Sequence, residues 1–435
     1  MKRQRRWLPR AVLLLALLAL LGAGVLWQLN FNDGIDIDQA VPAGPADADV
    51  IARGAYLARI GNCLACHTAP GGVPGAGGRA VPTEFGTVFA GNLTPDDATG
   101  IGRWSANAFW RALHHGRSAD GRLLVPVFPY THTTLLARDD VDALYAYFRS
   151  LPATHATVPA HELRWPFGTQ AALAAWRALY FRPGALVPEP TQDARWNRGR
   201  YLVRAVAHCS ACHARRDALG GADWRDLSGN TLHALGWYAP SLHDPDEAGL
   251  ASWSSADVAR LLHTGVAPAG RASGPMAEVV LRGTQHLEAG DLDAMTHYLR
   301  TLAPTASRTA DRSTISGQAR LAEIGARRYE QHCASCHGER GEGVGDAYPP
   351  LAGNRAVTLA PIDNLLQAVL YGGFNAATTD YPRPFGMPPF LLTLSDTEIA
   401  AVLTHIRTSW GNAARAVSPL EVNRVRAAAA RPAAR

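Results

Sequence analysis

The chain has 435 residues, of which 47% are hydrophobic and 18% are charged. Its length is enough for two or three domains, each with a hydrophobic core, and its hydrophobic content excludes a disordered protein. The 42 basic residues exceed the 37 acidic ones by five, but Lys2, Arg3, Arg5, Arg6 and Arg10 alone supply five positive charges. The rest of the chain is near neutral, so we expect no nucleic-acid partner.

Residues 1–30 predict a membrane anchor or a signal segment. An almost unbroken apolar run extends from Ala11 to Trp27. At about 1.5 Å per helical residue, this run is just long enough to cross a hydrocarbon core of roughly 30 Å. A retained anchor would leave the basic residues in the cytoplasm and the remaining chain outside. We favour this anchor over a cleaved signal peptide, for which Gly22 to Gly24 offers small residues but no clean cleavage site.

All six cysteines lie in three CxxCH segments. These are Cys63, Cys66 and His67; Cys209, Cys212 and His213; and Cys333, Cys336 and His337. Two thiols at this spacing can each add to a vinyl group of a porphyrin, and the adjacent histidine can bind its iron. A zinc site would not require histidine after every pair, a thioredoxin-like pair would sit once in a βαβ pattern, and disulfides would scatter the cysteines. The motifs therefore predict three covalently bound haem c groups on an exported chain.

The same helical pattern surrounds each motif. A helical segment with glycine and tyrosine precedes each cysteine pair, at Gly54, Gly199 and Gly325. An amphipathic helix with acidic residues at its start closes each third of the chain, over residues 139–151, 291–302 and 395–410. In the last of these, Ser395 and Glu398 match a capping box. The fold class is therefore mainly α, with an N-terminal transmembrane helix followed by three cytochrome c domains.

We predict these domains over residues 48–154, 195–303 and 317–412, and call them the first, second and third modules. A linker over 155–194 contains an amphipathic helix, which either packs on a neighbouring haem domain or contacts a partner subunit or the membrane. A polar linker covers 304–316, and a tail covers 413–435.

Two methionines are candidates for the sixth iron ligand, because a thioether is a soft ligand that raises the haem potential. Met387 lies 50 residues after His337, shortly before the closing helix. Met276 lies 63 residues after His213, at the corresponding place in the second module. Met295 falls within a closing helix and is expected in the core.

The first module has no methionine, and Phe128 stands where the third module has Met387. His132 lies four residues beyond Phe128 and could complete a haem with two histidine ligands. The open alternatives are a vacant sixth position with His132 at the surface, or ligation by His114 or His115.

Specific strings along residues 50–410 resemble the three-haem cytochrome c subunits of bacterial membrane-bound periplasmic dehydrogenases. They include Cys63-Leu-Ala-Cys-His-Thr-Ala-Pro-Gly-Gly72, Phe85-Gly-Thr-Val-Phe-Ala-Gly-Asn-Leu-Thr-Pro-Asp96, Gly236-Trp-Tyr-Ala-Pro-Ser-Leu242 and Gly274-Pro-Met-Ala-Glu-Val-Val280. Phe128-Pro-Tyr130 with His132 is similar to the subunits that accompany nicotinate-dehydrogenase-type molybdenum hydroxylases. The third module and Trp410-Gly-Asn412 look more like the alcohol, aldehyde and sugar dehydrogenase subunits.

This resemblance implies a separate catalytic subunit of the quinoprotein, flavoprotein or molybdenum type. Electrons from that subunit would pass through the haems to ubiquinone or a terminal oxidase. It also implies an inner-membrane location with the haem domains facing the periplasm. The alternatives are a haem enzyme or a gas-binding protein that uses an open first haem. No catalytic residue is predicted in this chain.

Overall fold

The computed structural model describes residues 7–31, 34–35, 47–268, 270–305 and 317–430. The predicted linker 304–316 lies outside the described residues from position 306 onward, as do the basic residues before Trp7 and the last five residues of the predicted tail. The described chain is mainly helical, as predicted. It divides into two compact units. The first comprises Met1–Ala58, Cys63–Val187 and Arg216–Ala222, and the second Arg59–Asn62, Pro188–Arg215 and Asp223–Arg435.

The first unit holds the N-terminal helix and nearly all of the first module. Its helices are α1 (Trp7–Phe31), α2 (Ala48–Ile60, whose last two residues belong to the second unit), α3 (Cys63–Cys66), α4 (Ala106–His115), α5 (Tyr130–Thr133), α6 (Arg138–Ser150) and α7 (Gln170–Tyr180). Its strands β1 (Ala80–Thr83), β2 (Gly86–Phe89) and β3 (Glu162–Leu163) form one antiparallel sheet, with Val81 opposite Val88 and Thr87 opposite Glu162. Phe109 of α4 and Phe148 of α6 are buried in the core, their ring centroids 6.1 Å apart.

The second unit contains the second and third modules. Its helices are α8 (Ala194–Tyr201), α9 (Ser210–His213), α10 (Ser255–Thr264), α11 (Pro275–Arg282), α12 (Ala289–Arg300), α13 (Gln318–His332), α14 (Ala334–His337), α15 (Arg355–Thr358), α16 (Asp363–Tyr371), α17 (Asp396–Thr408) and α18 (Pro419–Ala430). A π-helix at Leu202–Val206 continues α8, and 3₁₀ turns lie at Leu250–Ser252 and Thr284–His286. Its antiparallel hairpins pair β4 (Asn230–Leu232) with β5 (Trp237–Ala239), β6 (Val266–Ala267) with β7 (Gly270–Arg271), and β8 (Gly373–Phe374) with β9 (Gly386–Met387).

Each module joins its first and last long helices at a glycine. A Cβ atom at Gly54, Gly199 or Gly325 would overlap the backbone carbonyl of an alanine on the closing helix. The alanines are Ala143 on α6, Ala294 on α12 and Ala401 on α17. The same contact occurs in all three modules because only glycine lets the two backbones approach this closely. The predicted capping box at the start of α17 is confirmed: Ser395 and Glu398 each bond the other's backbone N–H.

Helix α1 contains the predicted anchor. Arg10–Phe31 covers 22 residues with a mean hydropathy of 2.4, and its most apolar stretch is not buried. Within the described part of the chain it is the one helix long and apolar enough to cross a membrane, although a signal sequence would meet the same criteria. Phe31, in the last turn of α1, packs against Leu123 of the first module and against Leu173 and Ala174 of α7.

Candidate functional site

The first CxxCH segment forms α3 and directs its histidine onto a backbone carbonyl. His67 Nδ1 lies 2.7 Å from the carbonyl oxygen of Gly91, which follows strand β2. A carbonyl can only accept, so Nδ1 carries the proton. The neutral ring then keeps an unprotonated Nε2 with its lone pair available for a metal.

The second and third CxxCH segments repeat this arrangement. His213 Nδ1 lies 2.8 Å from the carbonyl oxygen of Pro240, and His337 Nδ1 lies 2.9 Å from that of Pro349. Pro240 follows strand β5 as Gly91 follows β2. The acceptor is 24, 27 and 12 residues beyond the histidine in the first, second and third modules. One hydrogen bond therefore fixes the ring in each module although the intervening loops differ in length.

Burial lowers the pKa of all three histidines below the ordinary value. The carbonyl bond opposes this effect in each case, and the Arg271 guanidinium lowers the pKa of His337 further. All three rings are therefore neutral near pH 7, which is the form that binds metals.

None of the six cysteines forms a disulfide. Burial raises the pKa of Cys63 to about 12 and that of Cys209 and Cys333 to about 11. Cys66 and Cys212 are exposed. Within the described residues, no group of three or more His, Cys, Asp or Glu side chains is arranged to hold a metal ion. Each segment instead offers two thiols and one imidazole with a free Nε2, which is the donor set of a covalently attached haem c.

The candidate positions for a sixth ligand also share features of their backbone. In each module a helix ends at a glycine with positive φ, at Gly116, Gly265 or Gly372. A short hairpin or bridge follows. Phe128 and Met276 lie shortly beyond it, and Met387 lies in β9, the second strand of its hairpin. Positive φ is rare for other residue types, so glycine allows the chain to turn there.

The two candidate methionines are partly buried in apolar surroundings. Met276, in the first turn of α11, packs against a cluster formed by Ala272, Ala277, Val280 and Ala376. Met387, in β9, packs against the core cluster of the third module. Met295 is 1% exposed on α12 and belongs to the core.

In the first module, two histidines are buried near the candidate position. His132 is 5% exposed on α5, and its Nδ1 lies 3.0 Å from Thr131 Oγ1. His114 is 8% exposed on α4 and stacks on Trp110 with ring centroids 4.3 Å apart. Burial and the neighbouring His115 lower the pKa of His114 to about 4, so this ring is also neutral at pH 7.

The comparisons with known proteins agree with this geometry. A family model described as cytochrome c matches residues 322–410, in the third module. The chain is 36% identical to the cytochrome c subunit of an alcohol dehydrogenase (quinone) from Gluconacetobacter polyoxogenes, over 85% of this chain and 82% of that protein. It is also 36% identical to the gluconate 2-dehydrogenase cytochrome c subunit of Pantoea cypripedii, over 90% and 91% of the two chains. A nicotinate dehydrogenase subunit of Pseudomonas putida is 36% identical over 90% of this chain and 32% of its own length.

The chain belongs to the cytochrome c subunits of dehydrogenases. It is therefore an electron-transfer subunit and not the catalytic one. The cytochrome c fold of its third module implies covalently bound haem c with iron.

Several residues that shape this cytochrome c subunit were not found from its sequence. The carbonyl acceptors at Gly91, Pro240 and Pro349 hold the three histidine rings. Arg79 donates a 2.6 Å hydrogen bond to the carbonyl oxygen of Ala65, inside the first CxxCH segment. A backbone acceptor has no residue-type signal, and Arg79 lies far enough along the chain that local patterns do not connect it to the motif.

Proposed function

We propose that this protein is a three-haem c-type cytochrome that carries electrons from a catalytic dehydrogenase subunit to ubiquinone or a terminal oxidase. The observation that carries the proposal is the repeated histidine bond. His67, His213 and His337 each follow a cysteine pair, and each donates Nδ1–H to a backbone carbonyl at 2.7 to 2.9 Å. A single such bond could be incidental, but three at three CxxCH motifs support three haem sites.

The residues have separate tasks at each site. The cysteine pairs, Cys63 with Cys66, Cys209 with Cys212 and Cys333 with Cys336, form the thioether links, and the following histidine provides the proximal ligand. The carbonyl bond fixes the tautomer and the ring orientation of that ligand. Bound haem supplies a one-electron Fe(III)/Fe(II) couple.

On the opposite side we propose Met276 and Met387 as sixth ligands in the second and third modules. Both come after a helix and a glycine with positive φ, Met276 just beyond a hairpin and Met387 in the second strand of one, and both have apolar neighbours. In the first module we propose His132, which is buried and whose Nδ1 is engaged by Thr131. A His/His site has a lower potential than a His/Met site, so the three centres would form an ordered series.

We propose the three modules as three cytochrome c domains. The support is the glycine contact repeated at Gly54, Gly199 and Gly325. The modules would be separated by the linkers 155–194 and 304–316. Residues 413–435 would form a C-terminal extension, within which α18 packs on the third module through Val422.

We propose that α1 is retained as an anchor in the bacterial inner membrane, with the modules in the periplasm. Its exposed apolar surface and mean hydropathy of 2.4 support this location. Sequencing the N-terminus of the purified protein tests it. A mature chain that starts beyond residue 22 would contradict a retained anchor.

The proposed partner is a catalytic dehydrogenase subunit of the quinoprotein, flavoprotein or molybdenum type. The names of the relatives include a quinone-type alcohol dehydrogenase, a gluconate 2-dehydrogenase and a nicotinate dehydrogenase. The gene for such a subunit beside this one would identify the substrate. An enzyme or gas-binding protein with an open first haem is not favoured by these relatives.

Haem counting tests the proposal directly. The full chain, produced in a host that matures c-type cytochromes, should stain for haem on a denaturing gel and carry the mass of three haems. Replacing both cysteines of one motif by alanine, one motif at a time, should remove one haem each. Fewer than three haems in the unsubstituted protein would refute the proposal. Rapid carbon monoxide binding by the reduced protein would favour an open first haem.

A further inference from the structure

Charged side chains connect the second and third modules within the second unit. Arg260 on α10 pairs with Asp346 of the third module, Nη2 to Oδ2, at 2.5 Å. His263 on the same helix lies 3.1 Å from Asp380, Nε2 to Oδ2. Arg271 on β7 donates Nη2–H to the carbonyl oxygen of Gly345 at 3.2 Å. The second module therefore places an arginine on a backbone loop of the third.

Arg271 differs from Arg260 in the groups that surround its charge. Within the described residues no carboxylate pairs with Arg271, and its Nη1 atom is buried without a hydrogen-bond partner. Arg260, at the same junction, has its carboxylate. A cation that is partly removed from water and uncompensated acts over a longer range than an exposed pair, since water and a counter-charge no longer screen it.

The loop that Arg271 contacts belongs to the third CxxCH site. Gly343 N–H donates to the carbonyl oxygen of His337 at 2.8 Å, and Pro349 accepts from His337 Nδ1 at 2.9 Å. Gly345 lies between these two points of attachment. The guanidinium of Arg271 therefore contacts the same short loop that holds the His337 ring and backbone.

We propose that Arg271 of the second module raises the reduction potential of the haem at His337 in the third. This inference rests on the proposed function, because it needs a haem at that site. Oxidised iron carries one more positive charge than reduced iron, so a nearby uncompensated cation favours the reduced form. Arg271 acts on the iron through space and through the loop, and is a positioning and electrostatic residue, not a ligand.

The test is a redox titration of full-length protein in detergent, followed by visible absorption and electron paramagnetic resonance. Arg271→Gln should shift the third centre toward its oxidised form by about tenfold in its redox equilibrium, which is about 59 mV for a one-electron couple. Arg271→Lys keeps the charge and should restore most of the potential. Met387→His, made in parallel, identifies the third centre, because only that centre exchanges its methionine ligand.

Arg260→Gln is the matched control. It removes a cation from the same junction, but from a pair whose side chains are about half exposed, 42% and 54%. It should leave the third potential within about twofold of the unsubstituted protein, since such pairs are strongly screened. An unchanged third potential in Arg271→Gln, or a shift equal to that of Arg260→Gln, would overturn the proposal.

Haem counting by mass separates this inference from the proposed function. Three haems with an unmoved third potential would contradict the role of Arg271 alone. Fewer than three haems in the unsubstituted chain would contradict the proposed function itself.

Discussion

Arg177 Nε donates a 2.8 Å hydrogen bond to Oδ1 of Asn30, joining residues that are 147 positions apart. Both side chains are 3% exposed. Asn30 Nδ2 also donates to the carbonyl oxygens of Leu26 at 2.8 Å and Ala174 at 3.1 Å. The guanidinium carbon of Arg177 lies 4.7 Å from the ring centroid of Phe181 and 5.1 Å from that of Tyr130. The end of the apolar helix is thus built into the first unit through a buried polar contact.

Arg177→Ala should loosen this contact. It leaves the buried Asn30 amide oxygen without its donor, at a cost of about 1–3 kcal/mol. We expect faster backbone hydrogen exchange in the last turn of α1 and in α7, by up to about a hundredfold if the two helices open locally. Hydrogen exchange with mass spectrometry on the detergent-solubilised protein measures this effect.

Arg122→Ala provides the control for that measurement. Arg122 pairs with Asp120 in the same unit, but the two side chains are 71% and 54% exposed. Such a pair contributes about 0–1 kcal/mol, so exchange in α1 and α7 should not change. Equal exchange in both variants would show that the buried bond does not hold the helix end.

Gly199→Ala should destabilise the second module, because the new Cβ would overlap the carbonyl oxygen of Ala294 on α12. The two helices must separate to accommodate it, at a cost of about 1–3 kcal/mol or more. A lower thermal midpoint in far-ultraviolet circular dichroism is the expected result. Gly290→Ala is the matched control. Gly290 lies on α12, the helix that Gly199 contacts, and a Cβ there would have no atom within 4 Å. Alanine there should be neutral or stabilising by up to about 1 kcal/mol. A midpoint raised by both substitutions would contradict the close helix contact.

Local sequence patterns were sufficient to predict the first and last long helices of each module, but not the shorter helices and hairpins between them. The glycines at 54, 199 and 325 and the capping box at Ser395 carry residue-type signals, and the structure has helices at each. The hairpins escaped prediction because their strands are only two to four residues long, too short for an alternating pattern.

The residues of the candidate sites likewise fall into those that the sequence predicts and those that only the fold shows. The thiols and the histidines that follow them are read directly from CxxCH. The carbonyls of Gly91, Pro240 and Pro349 are not, because every residue has a backbone carbonyl and only the fold selects which one faces the ring. The contact between Arg177 and Asn30 is likewise a product of tertiary folding, and no local periodicity relates residues so far apart.

His132→Ala tests the proposed sixth ligand of the first haem. Losing an axial imidazole should convert one haem of the three from low-spin to high-spin, which electron paramagnetic resonance detects in the oxidised protein. His114→Ala removes another buried histidine from the same module, and it should leave the low-spin signal intact. A high-spin signal from His114→Ala alone would assign the ligand to that residue instead.

Met387→His tests the third sixth-ligand position. Imidazole in place of the thioether favours the oxidised iron, so the potential of this centre should fall, within the roughly 0.8 V that axial ligands span in haem proteins. The absorption band that arises from methionine coordination should weaken in the same variant.

Met295→Leu changes a methionine that is 1% exposed in the core of the second module. This nearly volume-conserving change should cost less than about 1.5 kcal/mol in stability, and it should move no potential, because Met295 lies within the closing helix and away from the hairpin that leads to Met276. If Met387→His left every potential and the methionine band unchanged, the sixth ligand of the third haem would have to be another residue.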